Sequence, residues 1–385
     1  MYRIPLSVPS LKGNELQYIK ECIDTEWVSS AGKYVTLFEE KIAEYTGAKH
    51  AVACVNGTSA LQVSLRLAGV VPGDEVIAPT LTFIAPINAI SYNGASPVFM
   101  DADKYYNIDL EKSISFIENK TIFKDGFTYN KKTNKRISAI VPVHIWGNAC
   151  WLDELVDLCH ERKIAMVEDA SESLGSFYNN GKFTEKHTGT VGKFGCLSFN
   201  GNKVITTGGG GMILTDDSGL AGKAKYLTTQ AKDDPVRYVH NEIGYNFRLT
   251  NIQSALGVAQ LEQLPGFLKR KREIYNQYQK ALENIDGLNL ACVPVNAENN
   301  HWLNLLQIDS VIYNDDRENI MKRLEENGIQ TRPVWKLNHD QKPYKDCRHY
   351  KIENAKKLVE NSLCLPSSSN LTNENLDKIV RQLNG

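Results

Sequence analysis

The spacing of apolar positions changes twice along this chain and divides it into three stretches. Near the amino terminus Leu16, Ile19, Cys22 and Ile23 recur at helical spacing, and residues 35–45 repeat the pattern before Gly47, a residue suited to closing a helix. From residue 50 to about 215, short unbroken apolar runs take over at 51–55, 76–79, 95–99, 137–142 and 164–168. Each is bounded by turn residues, the signature of a strand buried on both faces. Helical patterns at 61–67, 107–121 and 152–162 lie between them, and a polar, Lys/Asn-rich excursion at 123–136 reads as a surface hairpin. Strands that alternate with helices argue a mostly parallel sheet covered on both sides. The third stretch opens at Thr250-Asn-Ile-Gln253, a capping-box pattern, and continues as one long helical pattern to Leu282. Pro265-Gly266 predicts a break or kink within it. Beyond Gly287, strand runs at 288–291 and 304–308 and helices at 316–327 and 373–383 compose a second, smaller α/β unit. The predicted division is a large domain, 1–250, and a linking helix with a small carboxyl-terminal domain, 251–385.

One stretch gathers chemistry. The apolar run 164–168 ends in Asp169-Ala-Ser-Glu172, and Cys196-Leu-Ser-Phe199 leads to Asn202-Lys203 and then to Thr206-Thr-Gly-Gly-Gly-Gly211. An acid at the carboxyl end of a buried strand points into the crevice where open α/β sheets bind ligands. A lysine one short strand and loop later reaches the same crevice. The chemistry that needs both groups is that of pyridoxal phosphate, with Lys203 joined to the cofactor aldehyde as a Schiff base and Asp169 paired with the pyridinium nitrogen. Upstream, the run 51–55 turns through Asn56-Gly-Thr-Ser59 into a helix. Backbone N–H groups at such a helix start bind phosphate, and an ordinary capped helix fits the pattern equally well. Phe83, just past the strand 76–79, is placed either to stack on a cofactor face or to join the core.

Composition removes other classes of function. The chain has 385 residues with 42% hydrophobic and 23% charged residues and a net charge of -1. That balance leaves no electrostatic footprint for nucleic acid or an acidic membrane. No apolar run approaches membrane-spanning length, and the start Met1-Tyr-Arg-Ile-Pro5 lacks the apolar centre of a signal peptide. Eight scattered cysteines without a CxxC pair read as reduced thiols of a cytoplasmic protein, and no metal-ligand spacing occurs among the eight histidines.

These residues, taken in order, match a known family. The chain resembles the pyridoxal phosphate-dependent nucleotide-sugar aminotransferases of the DegT/StrS group. The resemblance rests on Trp27-Val-Ser-Ser30, Gly32-Lys-Tyr-Val35, Asn56-Gly-Thr-Ser-Ala-Leu61, Pro72-Gly-Asp-Glu-Val-Ile-Ala-Pro79, Thr82-Phe83, Glu168-Asp-Ala170, Ser198-Phe199, Lys203, Thr206-Thr-Gly-Gly-Gly-Gly211 and Gly244-Tyr-Asn-Phe-Arg248. It implies the aspartate-aminotransferase fold (fold type I), a large domain with a central mostly parallel sheet plus a smaller carboxyl-terminal α/β domain. It also implies roles. Lys203 would hold the cofactor and shuttle the proton, and Asp169 would hold the ring nitrogen. Gly57, Thr58 and Ser59, with Ser198, would bind the phosphate, and Phe83 would stack on the ring. Asn246 would reach the phosphate in the neighbouring subunit of a homodimer with shared sites. Three positions depart from the commonest pattern: Glu172 stands where His or Gln is usual beside the ring, Asn200 where His is frequent, and Gly209 where an acid often sits.

Three readings compete. Against a P-loop or Rossmann protein stand the absence of a GxxxxGK[ST] and the place of Gly208–Gly211, which is not between a first strand and a helix. A non-catalytic binding protein on the same fold has no need of both Lys203 and Asp169. The third is a transaminase taking a nucleotide sugar and an amino-acid donor. The rim of its crevice calls for cationic or aromatic residues for the diphosphate. Trp27, Arg248, His301 and Arg332, with Trp302 and Trp335, are suitable types, and Ser29 lies in the Trp27 motif. Ile4-Pro-Leu-Ser7, Thr25-Glu-Trp-Val-Ser-Ser30, Val143-His-Ile-Trp-Gly-Asn148 and Leu365-Pro-Ser-Ser368 resemble the branch of the family that makes UDP-4-amino sugars from UDP-linked 4-keto-6-deoxy-N-acetylhexosamines. Branches that use dTDP- or GDP-linked 3- or 4-keto sugars stay open.

Overall fold

A computed structural model describes residues 3–384. Its centre is an eight-stranded sheet: β1 (His50–Cys54), β2 (Glu75–Pro79), β3 (Ser96–Met100), β4 (Ile137–Ile140), β5 (Ala165–Asp169), β6 (Phe194–Ser198), β7 (Gly211–Thr215) and β8 (Arg348–Tyr350). The spatial order is β1-β7-β6-β5-β4-β2-β3-β8. From β6 to β8 every pairing is parallel, while β7 runs antiparallel to both neighbours. The unbroken apolar runs follow from burial on both faces. Along β2 and β3 the pleat sends Val76, Ala78 and Phe99 into one core and Ile77, Val98 and Met100 into the other.

The helices begin and end where side chains can satisfy them. Thr250 and Gln253 form a reciprocal capping box at the start of the helix Asn251–Leu282. Gly47 closes the helix Lys33–Thr46 in the left-handed region at φ 74°. The excursion at 123–136 contains a hairpin, Thr121–Lys124 with Phe127–Asn130.

Three expectations from the pattern differ from what the fold does. The long helix passes through Pro265 without a break over 32 residues. Leu261, Leu264 and Phe267 anchor its first part in the main core, and Ile274, Tyr278 and Leu282 anchor the rest in a second core. Packing at both ends outweighs the roughly 3 kcal/mol that an internal proline costs. The first helix, Glu15–Asp24, buries Cys22 and Glu15 but leaves Leu16 and Ile23 exposed. The carboxyl-terminal stretch also returns to the large sheet, where β8 pairs in parallel with β3. The second core is covered by a four-stranded sheet of Leu288–Leu290, Asn304–Ile308, Ser362–Leu365 and Arg332–Pro333. Among the described residues no helix is long and apolar enough to cross a membrane.

Candidate active site

The site is built at the carboxyl edge of the parallel strands. β5 ends in two adjacent acids, and strand alternation turns them to opposite faces. Glu168 faces away from the crevice. It meets His144 Nε2 at 2.8 Å and accepts backbone N–H groups from Gly189, Val191 and Gly192 at 2.9, 2.7 and 2.6 Å. Burial alone would raise its pKa, but His144 and the backbone donors outweigh it and hold this carboxyl below its ordinary value. Asp169 faces the crevice. It accepts from the Ser171 N–H at 3.0 Å, and burial raises its pKa. No cation stands within ion-pair distance of it among the described residues.

Between β6 and β7 the chain loops out. Phe199 N–H donates to Gly210 O and Thr207 N–H to Phe199 O, which closes the neck of the loop and projects Lys203. The Lys203 Nζ lies 3.4 Å from Glu172 Oε1 and 3.9 Å from the centre of the Trp302 ring. The other Glu172 oxygen accepts the Trp146 N–H at 2.9 Å. Burial pushes the Glu172 carboxyl up, with Lys203 opposing. Trp146 holds a left-handed backbone, φ 54°, sparsely populated for a bulky residue and costly enough to persist only where its surroundings enforce it. Its indole stacks on Trp335 at 5.2 Å, and Trp335 meets Phe83 at 6.1 Å. Phe83 and Trp335 form an aromatic wall of the crevice, with Trp146 packed behind Trp335.

The opposite end is backbone. Asn56 caps the helix Gly57–Leu67 by accepting the Ser59 N–H at 2.7 Å. First-turn N–H groups of a helix lack intrahelical acceptors and carry a positive partial charge. The glycine turn comes in close: a Cβ on Gly211 would stand 2.6 Å from Gly57 N, so only glycine permits the approach. A Cβ on Gly57 would stand 3.0 Å from the Ser198 Cβ and 3.1 Å from the Ser171 hydroxyl.

A cavity of about 290 Å³ unites Gly57, Thr58, Phe83, Asp169, Glu172, Ser198 and Lys203 with Trp302 and Trp335. Ser59 is buried beside it as part of the cap. Leu61, Thr82, Pro86 and Ser171 also line the cavity. Leu61, Thr82 and Ser171 belong to motifs of the sequence, whereas Pro86 was pointed to only by nearness to motif residues. A larger groove of about 470 Å³, between Arg136, His160 and Lys193, opens at the amino edge of the strands, away from Lys203.

Other predicted residues lie elsewhere in the chain. Asn246 is exposed on a loop and accepts from Gln230 at 3.1 Å. Trp27 is exposed beside a separate crevice with Tyr34 and Asn251, and Ser29 offers its carbonyl to the Asn251 N–H at 2.6 Å. Arg248 is buried in a two-pronged ion pair with Glu39. His301 stacks on Tyr275 at 4.3 Å, and burial, with Arg272 and Lys271 adding, pulls its pKa down to about 3. Arg332 is exposed and donates to Thr331 O. Sequence spacing cannot register that Arg248 and His301 are spent on internal partners. Of the candidate rim residues, the aromatic Trp302 and Trp335 are the ones that line the cavity.

The residues present fit pyridoxal 5'-phosphate. A helix start with two hydroxyls suits the phosphate, and a buried carboxyl without a cationic contact suits a ring nitrogen. A primary amine stands among them and an aromatic wall lies at the side. Comparison with known proteins agrees. The model of the DegT/DnrJ/EryC1/StrS aminotransferase family matches residues 9–384. A GDP-perosamine synthase of Escherichia coli O157:H7 is 38% identical, covering 100% of this chain and 98% of the relative. The GDP-perosamine synthase of Caulobacter vibrioides is 35% identical over 99% of this chain and 97% of its own. The solved structure of DesI in the presence of its TDP-sugar product superposes with a TM-score of 0.87 at 26% identity, covering 100% of this chain and 92% of that one. The chain belongs to the DegT/DnrJ/EryC1/StrS aminotransferase family and is a pyridoxal phosphate-dependent sugar-nucleotide aminotransferase.

Proposed function

We propose that this enzyme transfers an amino group, with glutamate as donor, to C4 of a UDP-linked 4-keto-6-deoxy-N-acetylhexosamine, for the synthesis of sialic-acid-like sugars of bacterial glycans. The observation that carries the reaction is the placement of Lys203 Nζ, beside Glu172 and against Trp302, in the cavity that Asp169 also lines. When bound, the cofactor supplies an electron sink. Lys203 would hold it and would shuttle the proton on its amine. Asp169 keeps the ring nitrogen protonated. The first turn at Gly57–Ser59, with Ser198, holds the phosphate. Glu172 gives Lys203 a carboxylate with which to share its proton.

The aromatic wall supports a 6-deoxy sugar in this reading. Phe83 and Trp335 line the cavity with apolar faces against which the methyl group of a 6-deoxy sugar would pack. A 6-hydroxyl buried without a partner would cost about 1–3 kcal/mol. The UDP moiety rests on the motifs at Ile4, Thr25, Val143 and Leu365. A second reading, a GDP-linked 4-keto-6-deoxy sugar, is favoured by the two full-length relatives named as GDP-perosamine synthases. Glutamate supplied with UDP-, GDP- and dTDP-linked 4-keto-6-deoxy sugars, with products identified by mass and NMR, separates the two. Preference for GDP or dTDP, or amination at C3, overturns the UDP assignment and leaves the transaminase intact.

The working unit in this proposal is a homodimer. Support comes from the loop that carries Asn246, on which Val236, Tyr238 and Ile243 are between 75% and 81% exposed. Large apolar side chains held in water mark a contact surface.

A further inference from the structure

Lys271 is a buried lysine that the reaction does not use. It sits on the long helix Asn251–Leu282, 3% exposed, and forms no ion pair among the described residues. Its Nζ donates to two backbone carbonyls, Ser367 O at 2.7 Å and Trp302 O at 3.1 Å. Two carbonyls use the two N–H groups of a neutral amine, and a third proton would find no acceptor. Burial accordingly pulls this pKa down to about 7.

The contact with Trp302 leads to the active site. The Trp302 indole Nε1 donates to Asn202 O at 2.6 Å, one residue before Lys203, and the ring face lies 3.9 Å from Lys203 Nζ. The Trp302 N–H donates to Asn300 Oδ1, and the Asn300 amide donates to the carbonyls of Glu172 and Leu174. The indole is therefore held at its backbone by Lys271 and Asn300 and at its tip by the lysine loop. An unbranched lysine side chain has about 2 kcal/mol of rotamer freedom to lose, so a fixed ring beside it decides where the amine spends its time.

We propose that Lys271 is a positioning residue: by holding the Trp302 carbonyl it fixes the indole against Lys203 and aims the reactive amine into the cavity. The proposal rests on the reading of Lys203 as the cofactor's lysine. Tyr278, one face-repeat further along the helix, donates to Pro366 O at 3.0 Å and braces the same seam without touching Trp302. It supplies the control for general loosening between the helix and the small sheet.

The test follows the near-visible absorbance band that appears when pyridoxal 5'-phosphate is added to apo-protein, a step that precedes turnover. Lys271→Met should slow its appearance roughly three- to tenfold and Trp302→Leu at least as much, while the double variant should be no slower than Trp302→Leu alone. Tyr278→Phe should match the wild type. Lys271→Gln, a milder truncation, is measured beside Lys271→Met so that a folding failure of the latter leaves the result decisive. It too must slow the step. A wild-type rate in the folded Lys271 variants, or effects of Lys271 and Trp302 that simply multiply, overturns the proposal. A band that persists in Lys203→Ala instead overturns the assignment of Lys203, and this inference with it.

Discussion

Lys203 and Lys271 occupy two regions of the molecule that treat the same side chain in opposite ways. At the crevice floor, Lys203 meets the Glu172 carboxylate, an indole face and an open cavity. In the seam between the long helix and the small sheet, Lys271 donates to two carbonyls, forms no ion pair among the described residues, and has the imidazole of His301, whose pKa it helps lower, near it. Acids within reach allow an amine to give and take protons. Carbonyls alone can only accept its hydrogen bonds, so the second amine is held neutral or half charged near pH 7 and serves as a brace. Residue type therefore decides little, and the partner set decides whether a buried lysine is chemistry or scaffolding.

The contrast is broken most directly at Lys203. Lys203→Ala should lower steady-state turnover by about a thousandfold or more, because both the covalent link and the proton transfer use its amine. Turnover near that of the wild type would remove the functional half of the comparison.

Asp169→Asn should leave the cofactor bound, since the phosphate cradle is untouched, and reduce the rate by about a hundredfold or more. An unchanged rate would make Asp169 structural, like its neighbour Glu168.

The Lys271 half is sharpened by pH. Unfolded, this amine titrates at its ordinary 10.5, and folded at about 7. Between those values the unfolded chain holds the extra proton, so folding stability rises with pH across the window and its penalty is complete below it. The stability of wild type relative to Lys271→Met should therefore increase from pH 7 to pH 9, by at most about 1.4 kcal/mol per unit. Urea unfolding at both values measures the increase, and a difference that stays flat would mean Lys271 has a charged partner after all.

A smaller effect is expected at Glu172, where glutamine keeps the Trp146 contact but loses the charge. Glu172→Gln should slow turnover less than tenfold and move the acid limb of the pH–rate profile, and an unshifted limb would take Glu172 out of proton traffic.

Finally, subunits carrying Asn246→Ala mixed with subunits carrying Lys203→Ala should regain part of the activity in heterodimers, because one site of each then has both residues intact. Full activity in a monomer detected by light scattering would confine both lysines to a single chain's business and refute the shared site.

Much of the architecture was legible because its causes are local. Unbroken apolar runs of strand length announced the buried parallel strands at 51–55, 76–79 and 164–168, and the Thr250/Gln253 pair announced the long helix. The grouping of Lys203, Asp169 and the Asn56-Gly-Thr-Ser59 turn was also readable, since strand ends of a parallel sheet share one edge. What sequence could not settle depends on partners far along the chain. Pro265 sits inside an unbroken helix because two separate cores grip its two halves. Arg248 looks free for a diphosphate until Glu39, 209 residues away, is folded against it. Lys271 looks like one more solvated charge in Lys269-Arg-Lys-Arg272, and only the tertiary structure closes it off from water and places Trp302 between the two amines. The sequence by itself determined which groups could react and at which strand ends they stand. The tertiary structure decided which charges were left free to do so, because desolvation and pairing depend on neighbours that spacing along a chain does not encode.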